Sequence, residues 1–236
     1  MRERSLSTVP KPALLLLVLA LLSQVLWNYL QAPRKALASS LTAPPGIASL
    51  RLASFGEPIA MAKLSMLYLQ AFDNQAGIRV SFQQLDYTQV EAWLSRSLAL
   101  DPRSQYPLFA ASQLYAEVSN EPKQRQMLNF IYQQFLVDPN HRWKAMAHAA
   151  NLARHRLKDM ELAKKYSQAI RLHATSSEVP SWAKQMEIFL LEDMNELEQA
   201  RILLGGLLQS GQINDPHEFK FLEQRLIELE NSMKDK

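Results

Sequence analysis

The chain has 236 residues, of which 47% are hydrophobic, six are glycine and none is cysteine. Without cysteine, disulfide frameworks, thiolate metal sites and cysteine nucleophiles are excluded. Leucine and alanine together are more than three times as frequent as isoleucine, valine and threonine together. Because the first group favours helices and the second favours strands, the composition predicts an all-α protein.

The formal net charge of +3 is divided unevenly along the chain. Residues 1–38 carry five basic residues against one acidic residue, so residues 39–236 together carry −1. Because the body is nearly neutral, we expect no nucleic-acid partner. Within the body, residues 121–173 hold ten basic and four acidic residues, and residues 174–236 hold six basic and twelve acidic residues. A basic middle therefore precedes an acidic end.

Residues 13–30 form an uncharged segment of eighteen residues. As a helix this segment spans roughly 27 Å, close to the ~30 Å of a bilayer hydrocarbon core. Trp27 and Tyr29 stand near its end, where amphipathic rings favour the headgroup layer. The segment predicts a transmembrane signal anchor of a single-pass inner (cytoplasmic) membrane protein. Basic residues before it place residues 1–12 in the cytoplasm and the remainder of the chain outside.

Two other interpretations of this segment remain open. A cleaved signal peptide would use residues 36–38 (Ala-Leu-Ala) as its cleavage site, although Arg34 and Lys35 then separate that site from the leucine block. The segment could also be a buried helix of a soluble protein. Prolines and glycines beyond it predict that residues 31–56 form a tether between the anchor and the body.

The body carries a repeating pattern of helix stops. Apolar residues at helical spacing after Asp86 predict one helix, which Asp101-Pro102 ends. The same ending returns at Asp138-Pro139, and Trp143 and Trp182 are separated by a closely similar interval. A period of about 37 to 39 residues indicates stacked helix pairs rather than one irregular core.

This pattern resembles the tetratricopeptide repeat (TPR) family, whose unit is an antiparallel helix pair of about 34 residues. The resemblance covers residues 57–210 and is strongest over residues 143–170, with weaker matches over 182–208, 103–139 and, in the second helix only, 57–102. The matching residues of the strongest repeat are Trp143, Ala147, Ala150, Ala163, Tyr166, Ala169 and Ile170. The resemblance implies a right-handed α-α superhelix, that is, a TPR-like solenoid, preceded by one transmembrane helix.

Three further features complete the expected architecture. Residues 72–82 look like an insertion within the first repeat. Residues 215–233 predict a C-terminal capping helix, which Asp215 caps and Pro216 starts. The adjacent glycines at positions 205 and 206 interrupt the preceding helical pattern. They predict either the close approach of another helix or an early end of their own helix.

No arrangement of residues in the sequence predicts catalysis, a cofactor site or a metal site. His148 and His155 are seven residues apart, whereas zinc ligands on one helix favour spacings of three or four. The segment His217–Phe221 starts like the zinc-protease HExxH motif but ends in phenylalanine in place of the second histidine. Three glutamates that could serve a glycan-cleaving enzyme are instead expected on the solvated face of a helix: Glu187, Glu192 and Glu196.

The basic middle is the strongest candidate for a binding site. The TPR resemblance implies a groove in which cationic side chains of a first helix recognise an acidic peptide or a chain-terminal carboxylate. The candidate partner-binding residues are Arg142, Lys144, Asn151, Arg154 and Lys158. Two alternatives remain. The cations could form an ordinary solvated face, or they could pair with the acidic end of a second copy in a head-to-tail homo-oligomer.

The sequence thus predicts a membrane-anchored, non-catalytic protein-protein interaction scaffold of the bacterial cell envelope, without a cofactor and with its helical domain in the periplasm. The partner would be a protein that offers an acidic peptide or C-terminus. Two other function classes stay open: an accessory subunit or enzyme of cell-wall or polysaccharide assembly, and a self-assembling structural protein.

Overall fold

The computed structural model describes residues 10–30, 40–72, 74–75, 78–211, 213 and 215–234. The chain divides into two compact units. The first contains the N-terminal segment, and the second, which we call the body, contains residues 40–75 and 79–236. The described part of the chain holds eleven α-helices and one hairpin of two-residue strands. The all-α prediction is therefore confirmed, apart from that hairpin.

Helix α1, Lys11–Leu30, belongs to the N-terminal unit. Its 20 residues span about 30 Å at 1.5 Å per residue. None of its side chains is buried, and the Ser23 hydroxyl donates to the Ala20 carbonyl at 2.8 Å. The helix is long enough and apolar enough to span a membrane, a criterion that a signal sequence also meets.

The body begins earlier in the chain than the sequence predicts. Helix α2, Ile47–Ala53, buries Leu50 in an apolar cluster. Ahead of this helix, the indole Nε1 of Trp93 donates to the Thr42 carbonyl at 2.9 Å. The chain is therefore folded onto the body from residue 40 onward.

The predicted tether over residues 31–56 is wrong in its second half. Pro44, Pro45 and Gly46 are residues typical of linkers, but here they only precede the start of α2. Local composition cannot show that a flanking helix is held by apolar contacts with distant residues. Residues 31–39 lie outside the described residues.

The first predicted helix pair consists of α3, Pro58–Ala71, and α4, Tyr87–Leu100. The predicted insertion between them contains β1, Asn74–Gln75, and β2, Ile78–Arg79, which pair as a hairpin, and then a short 3-10 turn. Asp86 caps α4 as predicted, because its Oδ1 accepts from the Thr88 backbone N–H at 2.9 Å. The predicted core positions of α4 are all buried: Val90, Leu94, Ser97, Leu98 and Leu100.

The second pair begins with α5, Tyr106–Ala110, and closes with α6, Glu121–Val137. Helix α5 continues into a π-helical turn, Ala111–Tyr115, in which the Ala116 N–H donates to the carbonyl of Ala111, five residues back, at 2.9 Å. The apolar face of α6 is fully buried: Met127, Leu128, Ile131 and Phe135.

The third pair consists of α7, Pro139–His155, and α8, Met160–His173. Asp138 both ends α6 and caps α7, since its Oδ1 accepts from the His141 N–H at 3.3 Å. Trp143 is half-buried. The other residues of the strongest TPR match are buried, as that match predicts: Ala147, Ala150, Ala163, Tyr166, Ala169 and Ile170.

The fourth pair consists of α9, Ser181–Asp193, and α10, Leu197–Gln209. Helix α11, Pro216–Lys234, follows as the predicted capping helix, and its Leu222 and Leu229 are buried in a cluster with residues of α9 and α10. Phe219, in the first turn of this helix, is 40% exposed.

Gly205 and Gly206 do not have either predicted role. Helix α10 runs through both glycines to Gln209, so they do not end it. A Cβ added to either glycine would meet no atom within 4 Å, so no other helix approaches closely there. These glycines lie on an open stretch of helix surface.

Two hydrogen bonds between successive helix pairs have the same sequence separation. Gln105 Nε2 donates to the His141 carbonyl at 2.7 Å, and the Ser176 backbone N–H donates to Asn140 Oδ1 at 2.9 Å. Both bonds join residues 36 positions apart. Within the described residues, every main packing joins helices at most two positions apart in the chain. Contacts confined to neighbours are expected when each unit buries its apolar side against the next.

Candidate binding surface on helix α7

Helix α7 separates small buried residues from polar outward ones. Besides Arg142, its buried residues are five alanines and two larger apolar side chains: Ala145, Met146, Ala147, Ala149, Ala150, Leu152 and Ala153. Its outward side carries hydrogen-bonding side chains at spacings of three and four residues, which place them on one face. We call this set the α7 stripe: His141, Lys144, His148, Asn151 and His155. Because α7 contains no acidic residue, the stripe presents hydrogen-bonding groups around one fixed positive charge.

A cleft of about 140 Å³ lies beside the stripe, between α7 and the first helix of the second pair. Helix α7 contributes Lys144, Ala145 and His148. The opposite wall is formed by Gln105, Phe109, Ser112 and Gln113. Pockets for drug-sized ligands or cofactors start at roughly 300 Å³, so this cleft suits a carboxylate or one short side chain instead.

The π-helical turn shapes the second wall of the cleft. Ser112 and Gln113 both lie within this turn, and the Ser112 hydroxyl donates to the Phe109 carbonyl at 3.1 Å. Ser112 is buried, whereas Gln113 is exposed and lines the cleft with a side-chain amide. Single π-helical turns are frequent at functional sites.

Lys144 supplies the positive charge of the cleft. Its side chain is exposed, and its Nζ lies 5.8 Å from the centroid of the Trp143 ring, within the range of a cation–π interaction. Among the residues that the structure describes, Lys144 forms no ion pair with a carboxylate. Its charge is therefore available to an incoming anion.

His148 adds a shielded ring nitrogen to the same cleft. Its Nε2 is out of contact with solvent, has no hydrogen-bond partner in the described part of the chain, and lies 3.7 Å from Glu117 Oε1. Glu117 is in turn held by Arg156, whose Nη2 lies 3.5 Å from Oε2. Because this nitrogen is shielded and lies close to a carboxylate, it is not open to a ligand in the cleft.

Arg142 does not belong to this surface. It is 5% exposed, and its guanidinium donates to the Gln134 carbonyl at 2.8 Å and to the Pro102 carbonyl at 3.3 Å. Burial lowers the pKa of this guanidinium, and the nearby charge of Asp138 opposes that effect only in part. Arg142 holds the second and third pairs together and leaves no free face for a partner.

Of the remaining predicted residues, one joins two helices and two lie on the surface. Arg154 forms an ion pair with Asp193 and so links α7 to α9. Asn151 is exposed and belongs to the α7 stripe. Lys158 is exposed in the turn after α7, in a left-handed conformation with φ +53°. The structure therefore brings Lys144 and Asn151 to one face and does not bring Arg142, Arg154 or Lys158 to it.

Three ion pairs within one chain join the basic middle to the acidic end. Lys164 Nζ lies 2.6 Å from Glu196 Oε2, and Arg171 Nε lies 2.6 Å from Glu187 Oε2. Together with the pair formed by Arg154, these contacts join successive helices of the third and fourth pairs. Charges paired in this way are not available for a head-to-tail contact with a second copy.

The expectation that three glutamates form a solvated face is wrong. The side chain of Glu187 is 3% exposed, that of Glu192 is 8% exposed, and that of Glu196 is 25% exposed. Glu192 accepts from Arg225 Nε of α11 at 3.0 Å. Helical spacing alone cannot distinguish an outward glutamate from one that a distant arginine pairs.

A further ion pair fixes the start of α8. Asp159 caps this helix, since its Oδ1 accepts from the Leu162 N–H at 3.0 Å, and its Oδ2 lies 2.7 Å from Arg125 Nη1. The hydrogen bond from Arg125, and next the one from the Leu162 N–H, hold the pKa of Asp159 below its ordinary value. This carboxylate therefore ties α6 to α8.

A larger cavity of about 270 Å³ lies between the start of α9 and the start of α11. Three of its polar side chains already have partners: Gln185 Nε2 donates to Glu218 Oε1 at 2.5 Å, and Lys184 Nζ donates to the Ser176 carbonyl at 3.0 Å. The lysine of this cavity is therefore engaged, unlike Lys144 of the α7 cleft. Within the described residues, no three His, Cys, Asp or Glu side chains are grouped to hold a metal ion.

The wall opposite α7 was not predicted from the sequence. Phe109 and Gln113 come from the preceding repeat, close to one repeat period before Lys144. The repeat period itself is a signal that could have identified them, because positions about one period apart lie side by side on neighbouring first helices. The π-helical turn itself has no sequence signal of this kind.

Comparisons with protein-family models, with curated proteins and with solved structures give no match to this chain.

Proposed function

We propose that the chain is a membrane-anchored, non-catalytic scaffold that binds an acidic segment of a partner protein along the α7 stripe. The observation that carries this proposal is the surface of α7, where Lys144 and four polar neighbours face outward from a helix without a single carboxylate. A first helix with such a face, beside a cleft sized for one carboxylate, suits an extended acidic peptide or a chain terminus.

The four helix pairs would stack as a right-handed, TPR-like superhelix. The 36-residue spacing of the hydrogen bonds between pairs and the confinement of packing to neighbouring helices support this arrangement. In such a stack the first helices line one continuous surface, so a peptide bound at α7 would extend toward Phe109 on one side and toward the fourth pair on the other.

Helix α1 would anchor the protein in the inner (cytoplasmic) membrane. Its length, its apolar sequence and the basic residues that precede it support a single crossing with a cytoplasmic N-terminus. The body would then lie in the periplasm of a bacterial cell, where the α7 stripe would meet envelope proteins.

Binding is favoured over catalysis by the state of the carboxylates in the body. Glu187, Glu192 and Asp159 are each engaged by an arginine, so their charge contributes to the joints between helices. A carboxylate whose oxygens are engaged by an arginine in a joint between helices is poorly placed to exchange a proton with a substrate.

Peptide binding by the full chain in detergent tests the proposal. The probe is a fluorescein-labelled decapeptide of alternating aspartate and alanine with a free C-terminus, and its binding is followed by fluorescence anisotropy. We expect Lys144→Glu to weaken binding about tenfold, since it replaces an attractive charge by a repulsive one.

Lys158→Glu is the matched control, because it makes the same change of charge at an exposed site away from the stripe. We expect it to weaken binding by at most about twofold. Equal losses in the two variants would show that only net charge matters, and the α7 stripe would not be the binding surface.

A further inference from the structure

The stretch from α2 to α3 has more exposed large apolar side chains than any other stretch of similar length among the described residues of the body. Outside α1, the described residues include sixteen large hydrophobic side chains that are exposed, and six of these lie between positions 52 and 68. The six are Leu52, Phe55, Ile59, Leu64, Leu67 and Tyr68. Single exposed apolar residues are ordinary on a protein surface, whereas a contiguous group of them marks an interaction site.

Helix α3 is apolar on both of its sides. Its inward side buries Ala62, Met66 and Leu69, and its outward side exposes Ile59, Leu64 and Leu67 to between 51% and 60%. Its only charged residue is Lys63. A helix that is apolar all round is normally covered on all sides by protein or by lipid. The outward side of α3 therefore lacks the cover that its composition requires.

Phe55 is the most exposed large side chain of this patch. It lies in the turn between α2 and α3 with φ +49°, followed by Gly56 with φ +92°, and its side chain is 95% exposed. Bulky residues rarely adopt this left-handed conformation. Because the ring gains no packing within the body, the strained turn is best explained by a contact outside the chain.

The chain itself limits how far the body can lie from the end of α1. Nine residues separate Leu30 from Ser40, and ten backbone steps reach at most about 36 Å. The charged residues of α2, α3 and the turn between them are Arg51, Glu57 and Lys63, which sum to +1. Cations that flank apolar side chains are suited to a lipid surface with anionic headgroups.

We propose that this corner of the body, formed by Leu52, Phe55, Ile59, Leu64 and Leu67, docks on an anionic bilayer surface with Phe55 inserted among the headgroups. The inference rests on the proposed crossing of the membrane by α1, which supplies the bilayer. Docking would shield the uncovered side of α3 and would hold the body at the membrane surface.

The natural absence of cysteine makes the test direct. Single cysteines are introduced into the full chain at position 55 (Phe55→Cys), at position 27 (Trp27→Cys) and at position 221 (Phe221→Cys), and each is labelled with the environment-sensitive dye NBD. Phe221 is the matched control, because it is an exposed aromatic residue on α11. The proteins are reconstituted in nanodiscs of phosphatidylethanolamine and phosphatidylglycerol, with and without quencher lipids that carry a doxyl group.

We expect NBD at position 55 to show blue-shifted emission and to lose intensity with the quencher lipids, as NBD at position 27 does, whereas NBD at position 221 shows neither effect. Quenching at position 27 but not at position 55 would overturn the docking and leave the anchor intact. Absence of quenching at both would overturn the anchor and the docking together.

A second copy of the chain on this corner would give a different result. The emission at position 55 would then be blue-shifted but insensitive to quencher lipids, and this outcome would overturn the proposal. The contribution of charge is tested by Arg51→Glu combined with Lys63→Glu. We expect this pair of substitutions to reduce quenching at position 55 more in the anionic nanodiscs than in phosphatidylcholine nanodiscs, and equal reductions in both would contradict the choice of an anionic surface.

Discussion

Helices α3 and α7 are both first helices of their pairs, but their outward sides differ in chemistry. The outward side of α3 exposes Ile59, Leu64 and Leu67 with one lysine among them, whereas that of α7 exposes polar side chains around Lys144. Both helices bury small or apolar residues inward. Packing within the helix pairs therefore constrains the inward side of each helix in the same way, whereas the outward sides differ in chemistry.

The comparison requires that the outward apolar residues of α3 add little to the fold. Leu67 and Leu69 are leucines on the same helix, 60% and 0% exposed respectively. We expect Leu69→Ala to lower the free energy of unfolding by about 4 kcal/mol, because it leaves a cavity in the core. Leu67→Ala should change it by less than about 0.5 kcal/mol. Urea unfolding of the full chain in detergent, followed by circular dichroism, measures both. Equal losses would mean that the outward side of α3 is part of the core.

Ion pairs that hold two helices together can likewise be compared with ion pairs on the surface of one helix. Arg171 pairs with the nearly buried Glu187, whereas Arg201 pairs with the exposed Glu198 on its own helix. We expect Arg171→Leu to destabilise the protein by about 2–3 kcal/mol, since it leaves a shielded carboxylate without a partner. Arg201→Leu should leave the urea midpoint nearly unchanged, because water already screens that pair. If the two variants unfold at the same urea concentration, the ion pair between Arg171 and Glu187 does not stabilise the packing of α8 against α9.

The ion pair and cap formed by Asp159 give the stability of the fold a characteristic pH dependence. Its pKa is lower in the folded chain than the ordinary value near 3.9, so its stabilisation is present above about pH 4 and is lost as the pH falls through the folded-state pKa. We expect Asp159→Asn to cost about 1 kcal/mol at pH 7. The variant should lose less stability than the natural protein between about pH 5 and pH 3. Parallel pH profiles for the two proteins would contradict the assignment.

The smallest expected effect concerns helix α10. Because Gly205 and Gly206 lie within a helix and face open space, alanine at either position should raise the free energy of unfolding by about 0.5–1 kcal/mol. This result would show that the outward side of α10, unlike that of α3, is not a site of contact with another molecule. A loss of stability, measured at two protein concentrations, would indicate instead that a second molecule packs against the glycines.

Features that depend on nearby residues could be predicted from the sequence. Asp86 and Asp215 cap their helices through N–H groups two residues away, and the buried faces of α4 and α6 follow helical spacing. The buried alanines of α7 and α8 also follow from the pattern of small residues in the strongest repeat. Each of these inferences needs only local geometry and a hydrophobic period.

Features that depend on distant residues could not be predicted from the sequence. The hydrogen bond from Trp93 to Thr42 spans 51 residues and turns a proline-rich segment into part of the body. The pairing of Glu187 and Glu192 with arginines of other helices reverses their expected exposure. In the candidate site, Lys144 was predicted, but Arg142 was not recognised as a buried joint, because its hydrogen-bond acceptors lie outside its own helix.

The central claim is that the α7 stripe is the surface that meets a partner. The most direct measurement places the photo-crosslinking residue benzoyl-phenylalanine at Asn151 on this stripe, or at the likewise exposed Gln168 on α8, in living cells that produce the full chain. We predict a crosslinked species at position 151 that disappears with Lys144→Glu, and none at position 168. Equal crosslinking at both positions, or crosslinking at position 151 that persists with Lys144→Glu, would contradict the account.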